Sequence, residues 1–176
     1  MNAFKAIRNN IPNTITCLNL FAGAMACVFA LKGNEPVGNL TSYQVAFIFI
    51  VLAAMFDFCD GLVARLLNSV SPIGKELDSL SDCVSFGLAP AMLLYAAMEH
   101  FNPGDVANYS AFLIAVFSAL RLAKFNIDTR QTSSFIGVPT PANALFWGSL
   151  VVGAHDFLVS DSFNALYLLA LVLLTS

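Results

Sequence analysis

The chain has 176 residues, of which 58% are apolar and 11% are charged, and its mean hydropathy is +0.76. An average soluble domain carries about 25% charged residues, so this composition excludes an ordinary soluble domain and a disordered chain. A net charge of −3 excludes a nucleic-acid-binding protein, which would need a basic excess. The composition therefore predicts an integral membrane protein.

Uncharged intervals predict six transmembrane helices, because about 20 apolar residues cross about 30 Å of hydrocarbon. These intervals are 9–31, 36–56, 83–98, 106–120, 131–154 and 162–176. The third and fourth are short, and they reach membrane length if their helices continue into the flanking charged turns. We therefore expect an all-α bundle of six membrane helices forming one domain over 1–176. The sixth interval ends at the C-terminus without a polar flank, which leaves open that the chain is a shortened form of a longer protein.

The N-terminal apolar run resembles a signal peptide at first sight. Polar residues interrupt it and no cleavage site follows, so we interpret 15–31 as a retained first helix. The preceding stretch predicts a short interfacial helix, because apolar and basic residues occur there at helical spacing: Phe4, Lys5, Ile7, Arg8 and Ile11. A disordered tail is the alternative for this stretch.

The basic residues predict how the bundle is oriented. With six spans and the N-terminus inside, seven of the eight Lys and Arg residues lie on the inner side, and Lys32 lies outside. Because an excess of basic residues marks the cytoplasmic side, both termini are expected in the cytoplasm. We expect a multi-pass protein of the plasma membrane or inner membrane. His100 and His155 fall on the outer side and are interpreted as interfacial residues rather than ligands.

Acidic residues are concentrated at the inner edge of the second and third predicted helices, where five of the eleven lie between positions 57 and 82. Asp57 and Asp60 are three residues apart, and Asp78 and Asp82 are four apart, so each pair shares a helix face. The turn-like residues 71–74 predict antiparallel neighbouring helices whose carboxylates face each other. Four facing carboxylates repel one another, and an all-oxygen ligand set favours Mg²⁺, Mn²⁺ or Ca²⁺. A solvated acidic turn is the alternative.

Small residues accompany these carboxylates. Gly61 directly follows Asp60, Ala64 continues the same stripe, and Gly74 precedes Asp78 by four residues. A residue without a Cβ lets a bulky ligand approach the helix backbone, and Arg65 adds a planar donor suited to phosphate. The combination predicts a site for a nucleotide diphosphate at the membrane surface. Close packing of helices is the alternative reason for the small residues.

Together these residues resemble the signature of the CDP-alcohol phosphotransferase family at every defined position. The matching residues are Asp57, Asp60, Gly61, Ala64, Arg65, Gly74, Asp78 and Asp82. Less specific patterns resemble the phosphatidylserine synthase branch of that family: 11–16 with Asn19 and Gly23, 78–90, 121–126 and 135–141. One departure is Lys124, where an arginine is frequent.

The resemblance implies a six-helix enzyme that transfers a phosphatidyl group from CDP-diacylglycerol to the hydroxyl of L-serine and releases CMP. It implies two divalent ions, Mg²⁺ or Mn²⁺, held by Asp57, Asp60, Asp78 and Asp82, with Asp82 also acting as general base. It implies a CDP pocket formed by Asn13, Thr16, Gly61, Ala64, Arg65 and Gly74. A homodimer embedded among membrane lipids is the usual state of the family.

Two questions stay open at this point. Arg121 and Lys124 either attract a substrate carboxylate or phosphate, or anchor the inner side as ordinary basic residues. The acceptor is either serine or another alcohol, such as glycerol phosphate, inositol phosphate, choline or ethanolamine. A small ion transporter or channel is the alternative from another class, although its polar residues would lie at mid-membrane depth rather than at one edge.

Overall fold

A computed structural model describes residues 3–69, 71–127 and 138–153, with side chains from Asn10 onward. Within these ranges the chain is mostly helical, as the composition predicts. The helices are α1 (Ala3–Leu31), α2 (Ser42–Leu66), α3 (Pro72–Asp82), α4 (Ala89–Phe101), α5 (Leu113–Ile127) and α6 (Thr140–Gly153). A π-helical segment, Cys83–Leu88, joins α3 to α4, and a 3₁₀ segment, Val106–Phe112, leads into α5.

Four helical stretches in the described part of the chain are long and apolar enough to cross a membrane. They are Asn10–Leu31, Ser42–Leu66, Pro72–Phe101 and Val106–Ile127. Their outer faces carry large exposed apolar side chains, including Phe21, Met55 and Phe58, which suit contact with lipid rather than water. The protein is therefore membrane-embedded.

The described residues include four of the six predicted spans in full. The short intervals 83–98 and 106–120 do reach membrane length, because their helices continue through the flanking charged residues. Interval 131–154 is described from 138 to 153, where α6 has 14 residues, and interval 162–176 lies outside the described residues. The number of six spans stays a prediction.

Two features differ from the sequence expectation. Helix α1 is continuous from Ala3 to Leu31 and passes through Pro12, so the structure does not show a separate interfacial helix. The all-α prediction also lacked a short antiparallel hairpin between α1 and α2, in which β1 (Pro36–Val37) pairs with β2 (Leu40–Thr41). Gly38 adopts a φ of +63° in the two-residue connection, a conformation that glycine takes without steric cost.

Helix α1 is the element on which the others assemble. Both α2 and α3 pack mainly against α1, an arrangement that the sequence prediction of α2 and α3 as antiparallel neighbours did not include. Away from the acidic residues, small buried side chains line the helices and let the backbones approach: Ala22, Ala26 and Ala30 on α1, with Ala46 and Ala53 on α2. The polar residues of α1 therefore lie beside the carboxylates of both neighbouring helices.

The π-helical segment begins directly after Asp82. Its widened turn is visible where the Ala89 N–H bonds to the carbonyl of Val84, five residues back. Pro90 contributes to it, because proline has no N–H to donate to the carbonyl four residues before it. The segment docks on α1 through Ser85, whose hydroxyl donates to the Asn19 carbonyl at 3.1 Å. Helical segments of this kind occur frequently at functional sites.

Candidate active site

Three of the four predicted carboxylates converge. One oxygen from each of Asp57, Asp60 and Asp78 lies within 4.8 Å of the others. Helix α2 presents the first two from adjacent turns, and α3 presents the third. Carboxylates at this separation repel one another, and a hard divalent cation that takes oxygen ligands offsets the repulsion. The three side chains therefore fit a metal ion by number, chemistry and proximity.

Asp82 lies one turn further along α3, outside this group of three. Its side chain is buried, and its carboxyl lies close to that of Asp57. It accepts a hydrogen bond from Asn19 Nδ2 at 3.3 Å. Asp82 thus borders the acidic group on its buried side and is held by a neutral amide from α1. Its roles as metal ligand and general base stay predictions.

Helix α1 holds the carboxylate of Asp60. The hydroxyl of Thr16 lies 2.6 Å from Asp60 Oδ2 and 3.1 Å from the Pro12 carbonyl. Because a hydroxyl has one hydrogen, it donates to one of these acceptors at a time, and the carboxylate is the closer. Both Thr16 and Asp60 are buried, and Ser81 donates to the Thr16 carbonyl at 3.2 Å. The same turn of α1 therefore contacts both α2 and α3.

A cavity of about 300 Å³ lies beside the carboxylates, between α1, the end of α2 and the start of α3. This volume is at the lower end of the range for small-molecule sites. Eight of the predicted site residues line it: Asn13, Thr16, Asp60, Gly61, Ala64, Arg65, Gly74 and Asp78. Pro12, Ser69, Ser71 and Lys75 complete the lining. Asp57 and Asp82 are not among the lining residues.

The start of α3 shapes one wall of the cavity. The sequence predicted a turn over 71–74, but Ser71 is the N-cap of α3 and accepts a hydrogen bond from Gly74 N at 3.1 Å. Pro72 takes the first helical position, where its missing N–H costs little. A Cβ on Gly74 would lie 2.9 Å from Asn13 Oδ1. Glycine at this position therefore allows α1 and α3 to approach at the cavity wall.

Arg65 lies on the opposite wall. Its Nε donates to the Gly61 carbonyl at 3.0 Å, so the side chain turns back along α2 toward the cavity. The side chain is exposed, as suits a group that meets an incoming ligand. This position agrees with the predicted contact to phosphate, although the contact itself stays a prediction.

Helix α5 packs against α3 and the π-helical segment. Asn126 Nδ2 donates to Ser79 Oγ at 2.8 Å, and Gly87 packs against Ser118. These two contacts align α5 antiparallel to α3 and the π-helical segment, and they place Arg121 at about the level of residues 83–84. Arg121 is half-buried and Lys124 is exposed. Along the bundle axis, the level of Arg121 is within about one turn of that of Asp82. The residues 128–137, which include Arg130 and part of the 135–141 pattern, lie outside the described residues.

Three residues at the site were not assigned a role from the sequence. Asn19 was noted as part of a pattern, and its position three residues after Thr16 already indicated that both face the same side of α1. Lys75 counted as a basic residue, yet it lines the cavity and its Nζ lies 3.4 Å from the Asn126 carbonyl. Ser69 carries no sequence signal, because serine is common in connections between helices.

The helices and the acidic group define a membrane-embedded helical protein with a candidate metal centre beside a cavity. Residues 9–175 match the family model described as CDP-alcohol phosphatidyltransferase. The chain belongs to this family.

Curated relatives carry the name CDP-diacylglycerol–serine O-phosphatidyltransferase. A relative from Helicobacter pylori (strain J99) is 38% identical over 76% of this chain and 54% of its own length. Those from Bacillus subtilis and Methanocaldococcus jannaschii are also 38% identical, over 76% and 93% of this chain and 70% and 69% of their own lengths. The chain thus spans about half the length of the Helicobacter relative.

Proposed function

We propose that the protein transfers a phosphatidyl group from CDP-diacylglycerol to the hydroxyl of L-serine and releases CMP. The observation that carries the proposal is the convergence of Asp57, Asp60 and Asp78 beside a cavity lined by the signature residues. The names of the relatives support serine as the acceptor. A site that joins a membrane to a polar cavity suits a lipid donor with a nucleotide headgroup.

The proposed donor site is formed by residues of α1, α2 and α3 that line the cavity. Asn13, Gly61, Ala64 and Gly74 leave room for CDP against the helix backbones, and Arg65 contributes a planar donor to its phosphates. Thr16 contributes by holding the Asp60 carboxylate in place. The lipid chains of the donor then extend along the apolar outer faces of the helices.

The proposed cofactors are two divalent ions, Mg²⁺ or Mn²⁺. Asp57, Asp60 and Asp78, whose carboxylates converge, would be their principal ligands, and Asp82 would contribute to the second ion. When bound, such ions neutralise charge on the pyrophosphate and on the leaving CMP.

In the proposed reaction the serine hydroxyl oxygen forms a bond to the phosphorus that carries diacylglycerol. The bond from this phosphorus to the bridging oxygen breaks, and CMP leaves with that oxygen. Because an alcohol hardly ionises near neutral pH, a positioned base must take its proton, and we assign this role to Asp82. Asn19 orients Asp82 through its 3.3 Å hydrogen bond.

We also propose that Arg121 binds the carboxylate of the acceptor. The contacts of α5 put Arg121 at nearly the level of Asp82 along the bundle axis, and a guanidinium pairs well with a carboxylate. Arg121→Gln should therefore raise the KM for serine by about tenfold, as expected for a lost charge-assisted bond, and leave the KM for CDP-diacylglycerol unchanged. Equal changes in both constants would contradict this assignment.

The remaining proposals concern the whole chain. We propose one domain over 1–176, six spans, a homodimer, and a site on the cytoplasmic side of the plasma membrane or inner membrane. Cysteines placed singly at positions 32, 75 and 130 of a cysteine-free variant test the orientation with an impermeant thiol reagent on intact cells. Position 32 should be labelled and positions 75 and 130 protected. The reverse pattern would move the site outside.

A CMP-release assay on the purified protein tests the proposed reaction. CDP-diacylglycerol is offered with serine, glycerol phosphate, inositol phosphate, choline or ethanolamine, each with Mg²⁺ or Mn²⁺. Serine should give CMP and phosphatidylserine, EDTA should abolish transfer, and either metal should restore it. Preference for another alcohol would overturn the serine assignment, and full activity after thorough chelation would overturn the metal assignment.

A further inference from the structure

The connection between α2 and α3 contains a buried hydroxyl to which no described residue forms a hydrogen bond. Ser69 is 6% exposed, and its Oγ has no hydrogen-bond partner among the residues that the structure describes. The residue is held in place, because its backbone N–H donates to the Ala64 carbonyl at 3.0 Å. Ser69 is one of the residues that line the cavity described above. A buried polar group without a partner is unfavourable, so a ligand is the natural source of the missing bond.

Ser69 lies at the end of the cavity remote from the acidic group. Helix α2 runs from Asp60 past Gly61 and Ala64 to its end, and Ser69 follows three residues after that end. Helix α3 then returns from Ser71 to Asp78. At about 1.5 Å per helical residue, the two ends of the cavity are separated by roughly 10 Å. A nucleotide with its phosphates at the carboxylates would extend its nucleoside toward Ser69.

We propose that the Ser69 hydroxyl forms a hydrogen bond with the nucleoside of the CDP-linked donor. The inference rests on the proposed function, since it takes the pyrophosphate to lie at the carboxylates. A hydroxyl both donates and accepts, so the ribose and the cytosine offer the same chemistry. Ser69 thereby contributes to recognition of the nucleotide and not to the transfer step.

Calorimetric titration of CDP in the presence of Mn²⁺ tests this role in the purified full-length protein. Ser69→Ala should weaken CDP binding about 5- to 10-fold, which is the usual effect of one neutral hydrogen bond. In the CMP-release assay the KM for CDP-diacylglycerol should rise by a similar factor. Repeating the titration with 2′-deoxy-CDP locates the bond, because the variant and the wild type become equal if the partner is the ribose 2′-hydroxyl.

Ser42→Ala is a matched control for removing a buried serine hydroxyl. Ser42 is buried like Ser69, but its hydroxyl donates to the Glu35 carbonyl at 2.9 Å, far from the cavity. Ser42→Ala should lower thermal stability and leave CDP binding unchanged. Ser69→Ala should leave stability equal or higher without ligand, because it removes an unsatisfied group, and should reduce the stabilisation by CDP. If Ser69 had only a structural role, its substitution would lower the ligand-free stability and would not reduce the stabilisation by CDP.

The outcomes of the CDP titration distinguish the inference about Ser69 from the proposed transferase function. If wild type binds CDP and Ser69→Ala binds it within twofold, the inference about Ser69 is overturned and the proposed function stands. If wild type does not bind CDP at all, both are overturned. A loss of stability in ligand-free Ser69→Ala would also count against the inference, because it would show that the hydroxyl has a structural partner.

Discussion

Carboxylates at the two ends of the bundle have very different surroundings. At the end formed by the hairpin and the start of the 3₁₀ segment, Glu99 accepts from Gly104 N at 2.8 Å and from Asn108 Nδ2 at 2.7 Å. At the other end, Asp57, Asp60 and Asp78 approach one another within 4.8 Å. The first carboxylate is satisfied by protein donors, whereas the other three are crowded against like charges.

The same contrast holds along the α1–α2 pair. Near the hairpin, Phe29 and Phe49 stack with ring centroids 5.5 Å apart, and buried alanines fill the interface. Near the acidic group, Thr16 meets Asp60 instead, and Asn19 Oδ1 is buried without a partner among the described residues. Burying polar groups in a membrane bundle is costly. The unpartnered Asn19 Oδ1 and the crowded carboxylates beside it therefore suit ligand binding, whereas the two hydrogen bonds of Glu99 serve stability.

The largest effect is expected from removing the proposed base. Asp82→Asn preserves the size of the side chain but cannot take a proton, so turnover should fall about 10²- to 10⁴-fold. Binding of CDP-diacylglycerol should change much less. Asp57→Asn and Asp78→Asn should instead damage donor binding and turnover together, because these residues are proposed to hold the metals. Calorimetric donor titration and CMP-release kinetics at saturating metal compare the three variants.

Glu99→Gln is the control from the opposite end of the bundle. It also neutralises a hydrogen-bonded carboxylate, and we expect lower stability with turnover within about twofold of wild type. Near-normal turnover of Asp82→Asn would refute its role as base. Equal loss of donor binding in all three aspartate variants would make Asp82 another ligand.

A smaller effect is expected at the contact between α1 and the acidic group. Thr16→Val keeps the shape of the side chain but removes the 2.6 Å hydrogen bond to Asp60, a bond to a charged group worth about 1.5–3 kcal/mol. The apparent affinity for Mg²⁺ in the CMP-release assay should fall by about 10- to 100-fold.

Thr14→Val is the matched control on the same helix. Thr14 is exposed, and its hydroxyl donates to the Asn10 carbonyl at 2.9 Å, within α1. Its substitution should leave the metal dependence unchanged. If both threonine variants retain the wild-type metal dependence, the hydrogen bond from Thr16 does not organise the acidic group.

The sequence predicted the acidic end better than the fold that supports it. Charge and spacing in 57–82 are local signals, so six of the residues that line the cavity could be named from them, whereas Asn13 and Thr16 were implied only by the family resemblance. The assembly of α2 and α3 on α1 depends on contacts such as Ser81 with Thr16, between residues 65 positions apart, and no periodicity specifies those. The π-helical segment was missed for a related reason, since Pro90 predicts a disturbed helix but not whether it kinks or widens.

The smallest effect is expected where α1 approaches the π-helical segment, at Gly23. Gly23 lies between the polar and the alanine-rich parts of α1, and a Cβ there would lie 2.7 Å from the backbone Cα of Ser85. Because backbone cannot move aside as a flexible side chain does, Gly23→Ala should cost about 1–3 kcal/mol of unfolding free energy in detergent. At Gly153 a Cβ would meet no atom of the described residues within 4 Å, so Gly153→Ala should leave stability unchanged or slightly higher. Gly23→Ala should also lower turnover, since separating α1 from the π-helical segment draws Asn19 away from Asp82. Reduced stability with full turnover would mean that the positioning of Asp82 does not depend on this approach of the two backbones.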